Sequence, residues 1–391
     1  MNNNSYINIR LLDIVSISRE SVKEFDGIKK YLSTGDLDFD KIVNLEDITW
    51  ENKPSRANQL VKENDVLFAK MKDTKKTLII DDAKKDLIVS TGFYVLTVSE
   101  KIMPKYLYYF LSSEIFLRDK NKLCKGATQK ALNNEGLSKI KILLPNLNLQ
   151  YKTIDILDKA KNLIDKRKLQ LEYLDELVKS KFIEMFGDPV HNPLGWELKP
   201  FLESGSCKNG MNFSSNESGI ELQYLGVGDF KDLSKIDNVN ALGKVSLNQM
   251  PSKEYILQDG DIVFVRSNGN KALVGRCLAV YPNGVATTYS GFCIRYRKTD
   301  ENLEIAYLLQ VLKTDSIRKN MAGRGANIQN LNQQILGELM IPVPPLELQK
   351  QFTDFIKQVD KLKFEMEKSL KQLEDNFNSL MQRAFKGELF N

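Results

Sequence analysis

The sequence has few of the residues that most catalytic and metal centres need. Its 391 residues include one histidine, His191, and four cysteines. One histidine excludes most histidine-dependent catalytic triads and histidine-rich metal centres. The cysteines lack CxxC spacing, which argues against a zinc site, and at this density they do not predict a disulfide framework. We therefore predict no catalytic residue and no metal site, and we interpret His191 as a solvated or packing residue of a linker.

Two further absences limit the function. No apolar run approaches the length of a membrane span and no basic-then-apolar leader follows Met1, so we expect a reduced, cytoplasmic and soluble protein. The sequence has neither a GxxxxGK[ST] phosphate loop nor the Asn/Asp-Pro-Pro-aromatic signature of amino-methyltransferases. Asp188 with Glu197 and Lys199 forms a faint nuclease pattern that has no copy elsewhere in the chain. A nuclease or methyltransferase is therefore kept only as an alternative.

The charge balance is mildly basic. The 56 Lys+Arg and 51 Asp+Glu residues give a formal net charge of +5, and 42% of the residues are apolar. This composition is ordinary for a globular protein, and the length allows two or more domains. A surface that binds nucleic acid must therefore come from segregated charge and not from an overall surplus.

The sequence does contain a long uninterrupted amphipathic stretch, residues 145–186. After Pro145 it has no proline and no glycine, and its apolar residues recur in steps of three, four and seven. This spacing predicts one long helix with an apolar stripe close to a heptad seam. The stretch from Pro344 to Phe385 has the same pattern, and since each stripe must be buried, we expect the two helices to pair. The stripes comprise Leu157, Ala160, Ile164, Leu171, Leu174, Val178, Phe182 and Met185, and Ile356, Val359, Met366, Leu370, Leu373, Phe377 and Leu380.

The duplicated helix is part of a repeat that covers the chain. Lys125-Gly126-Ala127 matches Arg324-Gly325-Ala326, and the two glycines stand 199 residues apart. Earlier in the chain, Tyr31-Leu32 matches Tyr224-Leu225 at an offset of 193, so the copies differ by loop insertions. The offset of 199 also relates Gly92-Phe93 to Gly291-Phe292, Tyr108 to Tyr307, and Gln150 to Gln349.

The repeat predicts an α+β fold in which each half is a mixed unit of a small β-sheet with helices. In each half, short β-rich runs precede a helical segment, near 104–119 and 303–319. The predicted domains are 1–144, a central long helix at 145–188, 189–343, and a C-terminal long helix at 344–391. Two antiparallel helices forming a coiled coil would separate the globular units in a pseudo-twofold tandem repeat, over about 60 Å for roughly 40 residues. DNA-reading dimers similarly place two modules on half-sites roughly 34 Å or more apart.

Polar loops that follow strands are the candidate nucleic-acid contacts. Residues 266–271, Arg-Ser-Asn-Gly-Asn-Lys, combine cations with amides, the groups that bind phosphates and read base edges. A solvated loop is the alternative interpretation. The turns around Gly126 and Gly325 repeat between the halves, which favours a structural turn or a phosphate contact, because base-reading residues should diverge. The candidate DNA-binding residues are Lys70, Lys72, Lys75, Lys125, Thr128, Gln129, Lys208, Asn212, Arg266, Ser267, Asn268, Asn270, Lys271, Arg324, Asn327 and Gln329.

The long helices have more surface than two helices can bury on each other. Charged residues alternate on broad faces and aromatic residues lie on more than one side, so we expect these faces to bind another protein. A coiled-coil interaction scaffold that never contacts DNA is the second alternative. The candidate partner-binding residues are Lys161, Arg167, Lys168, Phe182, Phe352, Phe355, Phe364 and Phe385.

Several motifs are specific in combination with the repeat. They are Tyr-Leu-x-x-Gly-Asp at Tyr31 and Tyr224, GDIVFVRS at 260–267, IPVPPLELQ at 341–349, and MFGDP at 185–189 followed by NPLGW at 192–196. With these motifs, the chain resembles the specificity (S) subunits of Type I restriction–modification systems. The first copy departs from the pattern at Leu144-Pro145-Asn146, and its residues 65–71 lack the Arg-Ser turn, so its reading loop is harder to place.

The resemblance implies two target recognition domains, each reading one half of a split, asymmetric sequence in double-stranded DNA. The paired helices would set the spacer and dock two methyltransferase (M) subunits, and restriction (R) subunits would join in the full complex. It also implies that S-adenosylmethionine, ATP and Mg belong to the partner subunits. This chain would bind no cofactor, contact no membrane and carry out no chemistry.

Overall fold

The computed structural model describes residues 6–18, 20–214, 216–230, 235–322 and 330–390. The chain divides into two compact units: the first comprises Met1–Leu169 and Glu367–Asn391, and the second comprises Gln170–Met366. Each unit therefore contains one globular part and one half of each long helix. The predicted α+β fold with two long helices is confirmed.

The first unit contains twelve described strands and three short helices before its long helix begins. The strands are β1 (Ile7–Arg10), β2 (Val15–Ile17), β3 (Lys29–Leu32), β4 (Leu37–Asp38), β5 (Lys41–Ile42), β6 (Glu46–Ile48), β7 (Ala57–Leu60), β8 (Val66–Ala69), β9 (Thr77–Ile79), β10 (Ile88–Ser90), β11 (Phe93–Val98) and β12 (Lys141–Leu144). The helices are α1 (Pro104–Leu111), α2 (Glu114–Leu123), α3 (Asn134–Leu137) and the long α4 (Leu147–Phe186).

The second unit repeats this plan with ten described strands. The strands are β13 (Glu197–Pro200), β14 (Gly205–Asn209), β15 (Ile220–Leu225), β16 (Lys235–Ile236), β17 (Gly243–Leu247), β18 (Asp261–Val265), β19 (Cys277–Val280), β20 (Thr287–Tyr289), β21 (Cys293–Lys298) and β22 (Met340–Val343). The helices are α5 (Ile305–Lys313), α6 (Asp315–Ala322), α7 (Gln333–Gly337) and the long α8 (Leu346–Lys386).

The sheet topology shows the repeat directly. The central sheet of the first unit has the order β2-β11-β8-β9, and that of the second has the order β14-β21-β18-β19 with β16 added at the edge. A parallel pair follows in each unit, β3 with β10 and β15 with β20. Antiparallel pairs close each unit before its long helix, β1 with β12 and β13 with β22.

A buried glutamine joins each long helix to its globular part in the same way. Gln150 accepts a hydrogen bond from the Met103 backbone N–H (2.9 Å) and donates to the Lys101 and Pro145 carbonyls (both 2.9 Å). Gln349 makes the three equivalent bonds with Glu304, Asn302 and Pro344. Both side chains are fully buried, where an unpaired amide would be costly, so these bonds fix where each helix starts.

The structure corrects two of the predicted pairings within the repeat. The hydroxyl of Tyr307 donates to the Pro342 carbonyl, and the residue that does the same in the first unit is Tyr106, not Tyr108. Likewise the carbonyl of Phe292 accepts from Arg266 where that of Gly92 accepts from Lys70, so Phe292 matches Gly92 and not Phe93. Local insertions shift the offset by one or two residues, which sequence matching over short motifs does not resolve.

Within each unit, one half of α4 packs against one half of α8. In the first unit, Leu157 of α4 and Phe385 of α8 belong to one buried cluster, and Lys168 forms an ion pair with Glu374 at 3.0 Å. In the second unit, Phe182 and Phe352 have ring centroids 5.6 Å apart. The start of α4 thus pairs with the end of α8 and the reverse, so the two helices run antiparallel.

The predicted helical segments near 104–119 and 303–319 are each two helices. The first breaks at Ser112 and Ser113, where the Ser113 hydroxyl caps α2 by accepting from the Phe116 N–H at 3.2 Å. The second breaks at Thr314, whose extended backbone separates α5 from α6. Serine and threonine at these positions compete with helix continuation, which explains the breaks.

Candidate nucleic-acid interface

In the first unit, two of the predicted polar loops lie side by side. The Lys72 N–H donates to the Lys130 carbonyl and the Leu132 N–H donates to the Lys70 carbonyl, both at 2.9 Å. Bridges also join Met71 and Lys125 to Ala131. Residues 70–76 and 125–131 therefore form one surface, which we call the first polar surface.

A buried lysine from α2 organises the first polar surface from below. The Lys120 side chain is 1% exposed, and its ammonium donates to the carbonyls of Ala69 (3.2 Å), Met71 (3.0 Å) and Thr74 (2.5 Å). Burial lowers the pKa of the Lys120 ammonium to about 8. Sequence reasoning missed this residue, because nothing in a helical pattern distinguishes a buried lysine from an exposed one.

Some side chains of the first polar surface already have partners within the unit, whereas others are exposed to solvent. Lys70 is half-buried, with its ammonium 2.8 Å from the Thr91 carbonyl and over the Tyr94 ring, and burial lowers its pKa. Lys75 is paired with Glu114 and Lys125 with Glu135, both at 2.8 Å. The other predicted residues of this surface, Lys72, Thr128 and Gln129, are exposed, and the Lys72 ammonium is 3.9 Å from the Asp73 carboxylate.

In the second unit, Arg266 occupies the position of Lys70. Its carbonyl accepts from the Leu331 N–H at 2.8 Å, as that of Lys70 accepts from Leu132, and its own N–H donates to the Phe292 carbonyl at 2.8 Å. The guanidinium is half-buried, at 3.5 Å from the Gly291 carbonyl. The segment from Lys70 is therefore the first unit's counterpart of the arginine turn, the equivalent place that the sequence predicts for residues 70–76.

Two asparagines shape the loop that carries Arg266. The Asn268 side chain accepts from the Asn270 N–H at 2.7 Å, and the Asn270 side chain accepts from the Ala272 N–H at 3.1 Å. Such turns fix the backbone while leaving the amide nitrogens available. Ser267, which precedes Asn268, is half-buried, and Lys271 is exposed.

The segment at 208–212 is brought next to this loop. The Gly291 N–H donates to the Met211 carbonyl at 2.7 Å, and a Cβ at Gly291 would lie 2.1 Å from the Asn212 side-chain oxygen, so any other residue there would displace the Asn212 side chain. Lys208 is held by Glu254 at 2.8 Å and lies over the Tyr255 ring. We call residues 208–212, 266–271 and 290–292 the second polar surface.

Phe292 is an exposed aromatic residue on the second polar surface that sequence reasoning missed. Its side chain is 59% exposed, whereas Gly92 has no side chain at the matching position of the first unit. Phe292 stands immediately before strand β21, which begins at Cys293. Of the predicted DNA-binding residues, Arg324, Asn327 and Gln329 lie outside the described residues.

Several predicted partner-binding residues prove to be internal, which corrects that prediction. Phe182, Phe352 and Phe385 are at most 5% exposed, because the globular parts cover the helix faces that carry them. Lys161 forms an ion pair with Asp40 and donates to the Tyr108 hydroxyl at 2.9 Å. The three phenylalanine side chains are unavailable to a partner, and the Lys161 side chain is engaged within the first unit.

The remaining predicted residues differ in exposure. Lys168 is paired with Glu374, and Arg167 and Phe355 are half-buried, whereas Phe364 is 64% exposed. In the second unit, other apolar side chains on the long helices are exposed as well. Tyr173 (62%) and Leu177 (47%) lie one turn apart on α4, and Leu362 (46%) lies near Phe364 on α8. These three were not predicted.

Comparison with known proteins decides the family. The family described as "Type I restriction modification DNA specificity domain" matches residues 8–173 and 196–375. The chain belongs to this family. The two matched segments each cover one copy of the repeat, so the specificity domain occurs twice in this chain.

The similarity to known specificity subunits covers most of this chain. The chain is 24% identical to the Type I restriction enzyme StySPI specificity subunit of Salmonella potsdam, over 85% of this chain and 76% of the relative. It is 26% identical to the MjaVIII specificity subunit of Methanocaldococcus jannaschii, over 94% and 87%. The chain also shares its fold with a structure solved to describe the assembly and conformational transition of the type I R-M system. The TM-score is 0.63, the identity is 20%, and 98% of each chain is covered.

Specificity subunits of this family are non-catalytic and serve DNA target recognition. Among the residues that the structure describes, no group of three or more His, Cys, Asp or Glu side chains could hold a metal ion. In the same part of the chain, no helix is long and apolar enough to cross a membrane. All four cysteines are free thiols.

Proposed function

We propose that each unit of this specificity subunit reads one half of a split, asymmetric sequence in double-stranded DNA. The observation that carries the proposal is that each polar surface contains a loop that starts at an equivalent position, Lys70 or Arg266, with the same backbone bonds. The side chains of the two loops, residues 70–76 and 266–271, differ. Two copies of one scaffold with unlike contacts are what recognition of two unlike half-sites requires.

The two surfaces are suited to different kinds of contact. In the first, the exposed side chains include Lys72, Thr128 and Gln129, which can bind phosphates and base edges. In the second, Arg266 and Asn212 lie beside the exposed ring of Phe292. An arginine can bind guanine bidentately, and an exposed aromatic ring can contact a thymine methyl or enter a base step.

The long helices supply the spacing between half-sites and the docking surface for partners. With 40 and 41 residues, α4 and α8 each extend over about 60 Å. We propose that two methyltransferase subunits dock on them and that restriction subunits join in the full complex. S-adenosylmethionine, ATP and Mg then bind to those subunits, and adenine N6 methylation and cleavage occur there.

Arg266→Ala should impair recognition of one half-site only. Losing a good base contact costs about 1–3 kcal/mol, and the penalty falls on the half-site that the second unit reads. In a binding assay of the complex with methyltransferase subunits, we expect base changes in that half-site to lose their effect. Base changes in the other half-site should still weaken binding.

A charge removed elsewhere provides the control for Arg266. Lys357→Ala removes an exposed cation on α8 that is 2.9 Å from Asp354, and it should leave both half-site preferences unchanged. Equal loss at both half-sites for Arg266→Ala would contradict separate reading by the two units.

Tyr173→Glu should weaken binding of a methyltransferase subunit. Exposed tyrosines are frequent binding hot spots, and a buried carboxylate in their place has no counterion. We expect a loss of about 2 kcal/mol, or roughly 30-fold in affinity, in a titration with the purified subunit.

Val43→Glu is the matched control for Tyr173→Glu. Val43 is an apolar side chain of the first unit that is 63% exposed and is not part of α4 or α8. If both variants bind the methyltransferase subunit as the unmodified chain does, the exposed apolar residues of α4 do not form the docking surface.

A further inference from the structure

In each unit, one of the ion pairs between the long helix and the globular part lies at an equivalent place of the repeat. In the first unit Lys161 of α4 pairs with Asp40, and in the second unit Asp360 of α8 pairs with Lys235 at 2.9 Å. Lys161 and Asp360 each stand eleven residues after the buried glutamine that starts the helix contact, Gln150 or Gln349. The two helix positions are therefore the same position of the repeat.

The domain-side residues are equivalent too. Asp40 lies in the turn between β4 and β5, where the Phe39 carbonyl accepts from the Thr77 N–H of β9 at 2.9 Å. Lys235 lies in β16, which pairs with β19 in the register Lys235 to Ala279. Because β9 and β19 are the same strand of the repeated sheet, both residues approach the helix from the same strand.

The polarity of the two pairs is opposite. In the first unit the helix carries the cation and the domain the anion; in the second unit the helix carries the anion and the domain the cation. Exchanging the domains would place Asp40 against Asp360, and Lys235 against Lys161. Like charges in such half-buried positions repel, and the second carboxylate near Lys235, that of Asp237 at 3.7 Å, reduces this repulsion without removing it.

In both ion pairs, the contact with the carboxylate stabilises the charged form of the lysine. Burial opposes the charge on Lys161, but its bonds to Asp40 and Tyr108 outweigh this effect and hold its pKa above the usual value. The Tyr108 hydroxyl completes the contact by donating to Asp40 at 2.7 Å. Lys235 behaves alike: its bond to Asp360 raises its pKa against the effect of burial. The side chains are 31–44% exposed, so solvent weakens these pairs without removing them.

We infer that the two ion pairs, Lys161 with Asp40 and Asp360 with Lys235, allow each recognition domain to pack only on its own long helix. We call these two pairs of opposite polarity the keys. In this role Asp40, Lys161, Lys235 and Asp360 are positioning residues. They hold each polar surface at a fixed orientation to the helix, and they make the two domain positions non-interchangeable. This role rests on the proposed function only for its consequence, the accuracy of the spacer.

Charge reversals in the full chain test the keys without DNA. Lys235→Asp and Asp360→Lys alone should each lower the midpoint of thermal unfolding by about 2–4 °C, and the double variant should regain most of the loss. The matched cycle, Asp354→Lys with Lys357→Asp, reverses an exposed pair on the same helix and should show almost no coupling. Absence of rescue in the first cycle would overturn the proposal.

A domain exchange gives the sharper test. In a chimera whose residues 197–343 are replaced by a second copy of residues 7–144, Asp40 and Tyr108 would meet Asp360. Asp360→Lys, which harms the natural chain, should stabilise this chimera. If the substitution has the same sign in both chains, the proposal is wrong. Should the chimera not fold, the thermal cycle still decides.

A second readout separates positioning from mere stability. In complex with the methyltransferase subunits, the single variants should lose about threefold to tenfold of their preference for the natural spacer over spacers one base pair longer or shorter. The double variant should recover it. If the thermal cycle shows coupling but the complex has no spacer preference at all, the proposed function fails while the keys stand.

Discussion

Lys120→Met is expected to lower the free energy of unfolding by about 2–4 kcal/mol and to abolish recognition of the half-site read by the first unit. The carbonyls of Ala69, Met71 and Thr74 would lose the bond from the ammonium, and only that of Met71 would keep another side-chain donor, the Thr74 hydroxyl. An unsatisfied buried carbonyl costs about 1–3 kcal/mol, and partial solvation of the loop reduces the sum. The loop that carries Lys70 and Lys72 would lose its shape.

Methionine is the right substitute because the fold already accepts it at this position. Counted from the capping residues Ser113 and Thr314, Lys120 of α2 corresponds to Met321 of α6, and both are at most 2% exposed. The variant therefore isolates the loss of the ammonium from any change in packing. In the second unit the loop is shaped by Asn268 and Asn270, so it needs no cation beneath it.

The effect of Lys120→Met is measured by chemical denaturation and by methylation of targets altered in one half-site at a time. Lys122→Met, at an exposed position two residues later on α2, is the control and should change neither quantity. If Lys120→Met leaves stability and both half-site preferences intact, the buried lysine does not organise the first polar surface.

Much of the fold was predictable because its signals are local and repeated. Heptad spacing predicted both long helices within a few residues, and the duplicated Gln150 and Gln349 occupy equivalent sites in the two units. These features depend on periodicity and identity, which the sequence displays directly.

The side-chain partners were not predictable, because they come from distant parts of the chain. Lys161 sits on a polar helix face and suggests a docking residue, yet Asp40, 121 residues earlier, pairs with it. Phe182 and Phe385 suggest exposed aromatic surface until the globular parts that cover them are known. The exposure of the Phe292 ring was not predictable either, because the two repeats are shifted by one residue at this point. Phe292 therefore matches Gly92 and not Phe93.

Inserting one heptad into both long helices is expected to lengthen the spacer while both half-sites stay the same. The places for insertion are after Leu169 in α4 and after Met366 in α8, where the chain passes between the two compact units. A heptad in each keeps the apolar stripes in register, because the seam repeats every seven residues. A heptad in α4 alone should disrupt their pairing and serves as the control.

The expected change follows from helix geometry. Seven residues add about 10 Å, which corresponds to at most about three base pairs along B-DNA. Since DNA also turns about its axis with each added base pair, we expect the spacer to grow by about one to three base pairs.

The most direct measurement of the account is a genome-wide map of N6-methyladenine in cells that carry this chain and its methyltransferase partners. The chain as it stands should yield one split motif, and the paired insertion should yield the same two half-sites with a longer spacer. A single continuous motif, or a spacer that the insertion leaves unchanged, would contradict the claim that two domains read DNA at a distance set by the long helices.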